Sequence, residues 1–147
     1  MSLTLDYLMG SSRFRRLCDR QREEAAGRFG LKRIELDVLL FLANNAPCDT
    51  ARDMAELRGL AKSNISTAVE SLMVGGYLTA RVDERDRRLT HLSLTEKAGP
   101  AVREGQRMQQ ELFARLLRGV SPEDRAALER VGETMGENLK EVLEHGI

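Results

Sequence analysis

The sequence is poor in several residue types, and each scarcity excludes a class of protein. Its 147 residues include no tryptophan, two tyrosines, four phenylalanines, three prolines and two cysteines. Two cysteines cannot build a disulfide framework. The HExxH, CxxC, GxSxG, Walker and GxGxxG patterns of common enzymes and cofactor sites are also missing. These absences predict a protein without catalytic residues, cofactor or metal.

Long apolar runs are missing as well. The longest, Val38–Ala43, is far shorter than the roughly 18 residues that a membrane span needs. No basic segment precedes an apolar one near the N-terminus, so we expect no signal peptide. In that context Cys18 and Cys48 are interpreted as reduced thiols. The sequence therefore predicts a cytoplasmic protein with no membrane partner.

Neither sign of charge dominates the chain, which has 23 basic and 23 acidic residues. The charges are unevenly placed: residues 1–34 carry eight basic and four acidic groups, a net +4, whereas residues 35–50 carry three acidic groups and no basic ones. Apolar residues make up 41% of the chain and charged residues 31%, as in globular proteins. A neutral total argues against a simple polycationic nucleic-acid binder and leaves a local interface open.

Helical spacing of apolar residues covers both ends of the chain. Residues 4–29 are predicted to form a long helix that Gly30 stops. Near the C-terminus, residues 96–118 are predicted to form a helix with Thr95 as its cap. Gly99-Pro100 is expected to distort the first turn of this helix. Residues 122–144 form a last helix, which begins at a Ser-Pro-Glu-Asp start signal.

The middle of the chain predicts a helix-turn-helix. Residues 33–45 are apolar almost all round and predict a buried central helix. Two further helices are predicted, over residues 51–58, with Thr50 as N-cap, and over residues 62–75. A three-residue turn that begins with Gly59 joins them.

A two-stranded hairpin with a charged tip follows the second of these helices. The apolar period changes from about 3.6 to 2, with alternation in residues 78–83 and 90–94. The segment between them, residues 84–88, is polar throughout. This pattern is typical of a β-hairpin.

The candidate functional residues lie on the second helix and on the hairpin. Short hydroxyl and amide side chains allow a helix to approach base edges in a major groove, and three arginines in four residues suit a narrow minor groove. Asp86 is expected to pair with a neighbouring arginine and organise the tip. The predicted DNA contacts are Lys62, Ser63, Asn64, Ser66, Thr67, Arg81, Arg85, Arg87 and Arg88.

These segments resemble the winged helix-turn-helix of the multiple-antibiotic-resistance regulator (MarR) family. The matching stretches are residues 51–57 (Ala-Arg-Asp-Met-Ala-Glu-Leu), 61–72 (Ala-Lys-Ser-Asn-Ile-Ser-Thr-Ala-Val-Glu-Ser-Leu), 76–81 (Gly-Tyr-Leu-Thr-Ala-Arg), 83–88 (Asp-Glu-Arg-Asp-Arg-Arg) and 92–99 (Leu-Ser-Leu-Thr-Glu-Lys-Ala-Gly). The wing that leads into Leu-Thr is the most specific of them. The resemblance implies a mostly α fold with a small β-hairpin wing and long terminal dimerisation helices.

The resemblance also implies a domain plan and a function. Residues 1–147 form one MarR-like domain, with residues 33–95 as the DNA-binding lobe and residues 1–32 and 96–147 as the dimerisation region. The expected protein is a homodimer that binds a pseudo-palindromic operator in double-stranded DNA. The family usually represses transcription and releases DNA when a small-molecule effector acts. An aromatic anion as effector would meet Arg13 or Arg16, although their spacing does not select them.

Two alternatives remain beside a ligand-controlled repressor. A winged-helix adaptor that binds proteins and not DNA would explain the zero net charge. A thiol-based redox repressor would use Cys18 or Cys48, but Cys18 stands late in its helix and no tyrosine follows it before Tyr77. His91 lies on a predicted strand and has no evident catalytic partner, so we interpret it as a surface or phosphate-contacting side chain.

Overall fold

Six α-helices and one two-stranded antiparallel sheet make up residues 12–147, the part of the chain that the computed structural model describes. In chain order the helices are α1 (Ser12–Gly27), α2 (Arg33–Asn44), α3 (Ala51–Arg58), α4 (Lys62–Val74), α5 (Gly99–Leu116) and α6 (Pro122–His145). Strands β1 (Leu78–Val82) and β2 (Thr90–Leu94) come between α4 and α5, and a 3-10 turn (Glu96–Ala98) precedes α5. This order confirms the predicted mostly helical fold with a small hairpin.

The first helix follows the prediction over the part that is described. Positions 4–11 of the predicted helix lie outside the described residues. Helix α1 ends at Gly27, two residues earlier than predicted, because the Phe29 and Leu31 amides both donate to the Ala26 carbonyl. Gly30 then adopts a φ of 67°, which costs glycine little because it has no Cβ. Gly30 therefore closes the helix as expected.

Helix α2 is the centre of the core, as its apolar sequence predicts. It packs against α1, α4 and β2, and six of its apolar side chains, spread around the helix, are buried. These are Leu36, Val38, Leu39, Leu40, Phe41 and Leu42. Burying each of them contributes about 1.5–3 kcal/mol, so α2 fixes the elements that surround it.

The helix-turn-helix packs on this core through one face of each helix. Met54 of α3 and Ile65 and Leu72 of α4 are almost fully buried. Gly59 ends α3 with a φ of 63°, and its amide donates to the Ala55 carbonyl. The positive φ lets the chain reverse within the three residues that separate α3 from α4.

The hairpin pairs in the register that its alternation predicts. Leu78 lies opposite Leu94, and Ala80 lies opposite Leu92. Leu78 and Leu92 are buried against the core, while Arg81 and its cross-strand partner His91 lie on the other face, as the alternation of side chains requires. The loop that joins the strands, residues 83–89, is the wing.

Helix α5 approaches α2 at Gly105. A Cβ on Gly105 would lie 2.9 Å from both terminal carbons of the Leu40 side chain. Because Leu40 is itself buried, it has little room to move, so this close approach requires glycine. The described residues divide after Gln109 into two compact units, and Leu40 and Gly105 belong to the first.

Two of the three predicted helix caps form in the structure, and the third does not. Thr50 caps α3: its hydroxyl accepts from the Asp53 amide at 3.1 Å and donates to the Asp53 carboxylate at 2.8 Å. Ser121 caps α6 by accepting from the Asp124 amide at 3.1 Å. The expected Thr95 cap is wrong, because the Thr95 hydroxyl donates instead to the Gly76 carbonyl at 2.6 Å. The distortion expected at Gly99 appears as the 3-10 turn before α5.

The second unit contains the end of α5 and all of α6. Within it, the Arg125 guanidinium donates to the Leu117 carbonyl at 2.7 Å and to the Val120 carbonyl at 3.2 Å, which closes the turn before α6. Helix α6 has no buried residue. Its apolar stripe is exposed and consists of Leu128, Val131, Met135, Leu139 and Val142.

Candidate nucleic-acid interface

Helix α4 has a buried face and an exposed polar face. Ile65, Ala68 and Leu72 face the core, which leaves the remaining side of the helix to solvent. The side chains predicted to contact DNA all lie on that exposed side: Lys62, Ser63, Asn64, Ser66 and Thr67. Their small size leaves the helix backbone approachable, as entry into a groove roughly 12 Å wide requires.

The N-terminus of α4 has free backbone donors. Its N-cap residue is Ala61, which has no side-chain acceptor. The amides of the first turn therefore lack an intrahelical partner. With Lys62 exposed beside them, these amides and the helix dipole suit a phosphate group.

One predicted contact residue is already engaged within the helix. The Thr67 hydroxyl donates to the Ser63 carbonyl at 3.0 Å. This bond uses its only donor and leaves its oxygen as an acceptor. Thr67 can therefore accept a hydrogen bond from a base or a water molecule, whereas donation would require the internal bond to break.

The wing is organised by Asp83, a residue that the sequence did not single out. One oxygen of its carboxylate accepts from the backbone amides of Arg85 and Asp86 at 2.8 and 2.7 Å. These two bonds and the contact with His91 lower the pKa of Asp83 to about 2, the Asp86 amide having the largest effect. The turn is therefore held by an ionised carboxylate at neutral pH.

Asp86 has the organising role that was predicted for it, and it acts on one arginine. Its carboxylate accepts from Arg88 Nε at 3.1 Å and from the Arg88 backbone amide at 3.1 Å. These bonds lower the pKa of Asp86. Within residues 12–147 the side chains of Arg85 and Arg87 form no hydrogen bond or ion pair, and both are exposed. The wing thus presents two uncommitted guanidinium groups on an ordered turn.

His91 is not the free surface histidine that its strand position suggested. Its Nδ1 lies 2.7 Å from the Asp49 carboxylate and its Nε2 lies 2.8 Å from the Asp83 carboxylate. Hydrogen bonds to both carboxylates raise the pKa of His91, Asp83 having the larger effect. Asp49 stands 42 residues away in sequence, so no local pattern could have revealed this bridge.

The last predicted contact, Arg81, is exposed on β1 directly across the hairpin from His91. The structure thus places all nine predicted contacts on the exposed surface of α4, β1 and the wing. Their contact with DNA stays a prediction.

The two cysteines are half-buried and free. Over residues 12–147 no cluster of three or more histidine, cysteine, aspartate or glutamate side chains could hold a metal ion. The same residues contain no helix that is long and apolar enough for a membrane span.

Comparison with known sequences finds regulators of transcription. A family model described as "MarR family" matches residues 29–89, which include the helix-turn-helix and the wing. The HTH-type transcriptional regulator PetP of Rhodobacter capsulatus is 29% identical over 92 residues, covering 63% of this chain and 55% of that protein. The match thus spans little more than half of that relative's length.

Solved structures of similar fold cover almost the whole chain. A MarR transcriptional regulator from Methanosarcina mazei Go1 has a TM-score of 0.72 at 20% identity and covers 91% of this chain and 96% of its own. The apo form of wild-type MarR from E. coli has a TM-score of 0.63 at 18% identity, with 92% and 97% covered. At such identities the likeness shows that the fold is shared.

Proposed function

We propose that the chain is a transcriptional regulator of the MarR family, a dimeric repressor that binds double-stranded DNA and releases it when a small molecule binds. Regulation of transcription, and not an enzymatic reaction, is the activity of this family. The observation that carries the proposal is the wing, on which Asp83 and Asp86 order the turn while Arg85 and Arg87 stay unpaired.

Two arginines held without internal partners favour a polyanionic ligand. An exposed arginine pair with acidic neighbours would serve stability poorly, because surface ion pairs contribute only about 0–1 kcal/mol. A guanidinium on an ordered turn can enter a narrow minor groove without losing much conformational freedom. The exposed polar face of α4 supports the companion contact in the major groove.

A dimer is supported by the apolar stripe of α6. Its members follow one another at intervals of three or four residues, the spacing of a helical interface. Leu139 is 59% exposed and Met135 is 50% exposed. A second copy that covers this stripe would remove a large apolar surface from water. Two-fold symmetry would then place two wings and two α4 helices on half-sites about one DNA turn apart.

The effector proposal is supported by a cavity at the junction of α1, α2 and α3. It measures about 180 Å³ and combines two arginines with apolar and aromatic walls, so an aromatic monocarboxylate would suit it. The residues that line it are Arg22, Asp37, Leu40, Phe41, Arg58, Leu60 and Gln109. Arg13 and Arg16, the sequence-level candidates, do not line it. Asp37 lies 3.1 Å from Arg22 Nε, which leaves Arg58 as the arginine of the cavity for the carboxylate to pair with.

The first experiment is a DNA-binding measurement. Fluorescence anisotropy would follow the purified protein with duplexes from the DNA that flanks its own gene, at two salt concentrations, beside a scrambled duplex. Sequence-selective affinity that falls as salt rises is expected, because phosphate contacts release counterions. Added salicylate should then release the DNA if the cavity is the effector site.

Other results would change the conclusion in defined ways. Binding equal to that of the scrambled duplex, followed by failure to enrich any site from genome fragments, would contradict the repressor and favour the protein-binding adaptor. If DNA binding is selective, is unaffected by salicylate and related carboxylates and is lost on mild oxidation, the result would favour the thiol-based alternative.

A further inference from the structure

The bridge between Asp49, His91 and Asp83 connects the two parts of the candidate interface. Asp49 precedes Thr50, the N-cap of α3, and its amide donates to the Asp53 carboxylate at 3.1 Å. Its carbonyl accepts from the Leu92 amide at 2.9 Å, and Thr50 forms an isolated β-bridge with His91. Asp83 stands at the base of the wing. His91 therefore joins the start of the helix-turn-helix to the turn that carries the wing arginines.

This geometry fixes the protonation state that His91 needs. An ionised carboxylate can only accept hydrogen bonds, so each ring nitrogen must donate. A neutral imidazole has one donor and would direct a lone pair at the second carboxylate. Only the doubly protonated ring satisfies contacts of 2.7 and 2.8 Å to both acids at once.

The other charged groups near the ring agree with this assignment. The charges that face His91 are Asp49 from the loop before α3, Asp83 from the wing and Arg81 from β1. The two carboxylates favour the charged ring, and Arg81 opposes it less strongly. The balance raises the pKa of His91 above its ordinary value of 6.5.

We propose that His91, charged between Asp49 and Asp83, is a positioning residue for DNA binding that sets the orientation of the wing relative to the helix-turn-helix. This inference rests on the proposed function of the same surface. His91 need not contact DNA. It acts through Asp83, whose second oxygen holds the turn that carries Arg85 and Arg87.

Loss of the ring proton would release one side of the bridge. Because the folded pKa is raised, the contribution of the bridge is complete below the ordinary pKa and disappears as pH rises through the raised value. If the competent wing orientation then falls to between a third and a tenth of the population, affinity weakens by roughly threefold to tenfold. DNA binding should therefore weaken at alkaline pH.

The test compares pH profiles of DNA affinity at constant ionic strength. The probe is the fluorescent duplex that binds selectively in the experiment above, from about pH 5.5 to about pH 9, a range that covers histidine titration. The wild type should weaken by the stated factor, whereas His91→Gln should bind weakly at every pH. Asp49→Asn, which removes one carboxylate, should move the transition to lower pH. His145→Gln, which alters the chain's other histidine, should follow the wild type.

A DNA-independent measurement separates this inference from the proposed function. Nitrogen-15 NMR of the free protein reports protonation of each ring nitrogen, and the two variants assign the two histidines. We expect both His91 nitrogens to be protonated at neutral pH. If duplex binds but His91 titrates at or below its ordinary pKa, or if His91→Gln keeps the wild-type profile, the positioning role is wrong and the repressor stands. If no duplex binds selectively and no genome fragment is enriched, both proposals fail. Should His91→Gln not fold, the shift expected for Asp49→Asn decides.

Discussion

The three arginines of the wing differ in what holds them, and this difference is visible only at the scale of single residues. Arg88 is bound to the Asp86 carboxylate through its side chain and its backbone amide. Arg85 contributes its backbone amide to the turn, and its side chain remains available. Within the described residues, neither the side chain nor the backbone amide of Arg87 takes part in the bonds that hold the turn. Substitutions of the three should therefore affect DNA binding and wing order to different extents.

Arg87→Ala should weaken DNA binding by about 1–3 kcal/mol, the value of one good groove contact. The wing should keep its order, because Arg87 supplies none of the hydrogen bonds that hold the turn. Anisotropy with the selected duplex would measure the loss. Arg15→Ala, which removes the same charge from an exposed position on α1, is the matched control. Equal affinities for both variants and the wild type would rule out a groove contact by Arg87.

Residue-level prediction from sequence succeeded where the chemistry is local. The Asp86–Arg88 pair and the Thr50 cap join residues two or three positions apart, so their spacing predicts them. The bonds of Asp83 to the Arg85 and Asp86 amides are equally local, and the tendency of aspartate to bond the backbone two residues on is the signal that predicts them. His91 could not be predicted in this way, because it bonds residues that are 8 and 42 positions distant. Such contacts depend on how the strand packs beside the loop that precedes α3.

At the scale of elements, the packing of α5 on α2 depends on a single glycine. The sequence marks Gly105 only as a weak point in a helix. The structure shows that its missing side chain allows the Leu40 side chain to lie against the α5 backbone. A helix that was expected to belong to the dimerisation region is thus fixed to the core helix.

Gly105→Ala should destabilise the protein by about 1–3 kcal/mol through overpacking, partly offset by up to about 1 kcal/mol of improved helix propensity. Gly27→Ala is the matched control, since nothing lies within 4 Å of its added Cβ. That variant should be unchanged or stabilised by about 0.4–1 kcal/mol. Urea unfolding would give both free energies. A Gly105→Ala protein as stable as Gly27→Ala would show that Leu40 moves aside without cost.

At the scale of the whole molecule, α6 is the helix whose apolar face a single chain leaves exposed. No residue of this 24-residue helix is buried. Its apolar residues nevertheless recur at intervals of three or four, as in a helix that packs against a partner. The unit of residues 110–147 has no hydrophobic core of its own. A second copy of the chain is therefore the simplest cover for the apolar stripe of α6.

Leu139→Glu should convert the proposed dimer into monomers, because dimerisation would bury an unpaired carboxylate. Sedimentation velocity would measure the change, and DNA affinity should fall with it. Arg130→Glu introduces the same acid two positions after Leu128, on the opposite side of the helix, and should remain dimeric. A dimeric Leu139→Glu protein would mean that the stripe of α6 is not the interface.

By itself the sequence determined the helices, the hairpin, the caps at Thr50 and Ser121 and the set of exposed polar and basic residues. These features depend on periodicity and on neighbours within one or two turns, which a linear pattern records. Only the tertiary structure decided which wing arginines stay unpaired, why Gly105 must lack a side chain and what His91 touches. Those outcomes depend on residues that packing of the core brings together from distant parts of the chain.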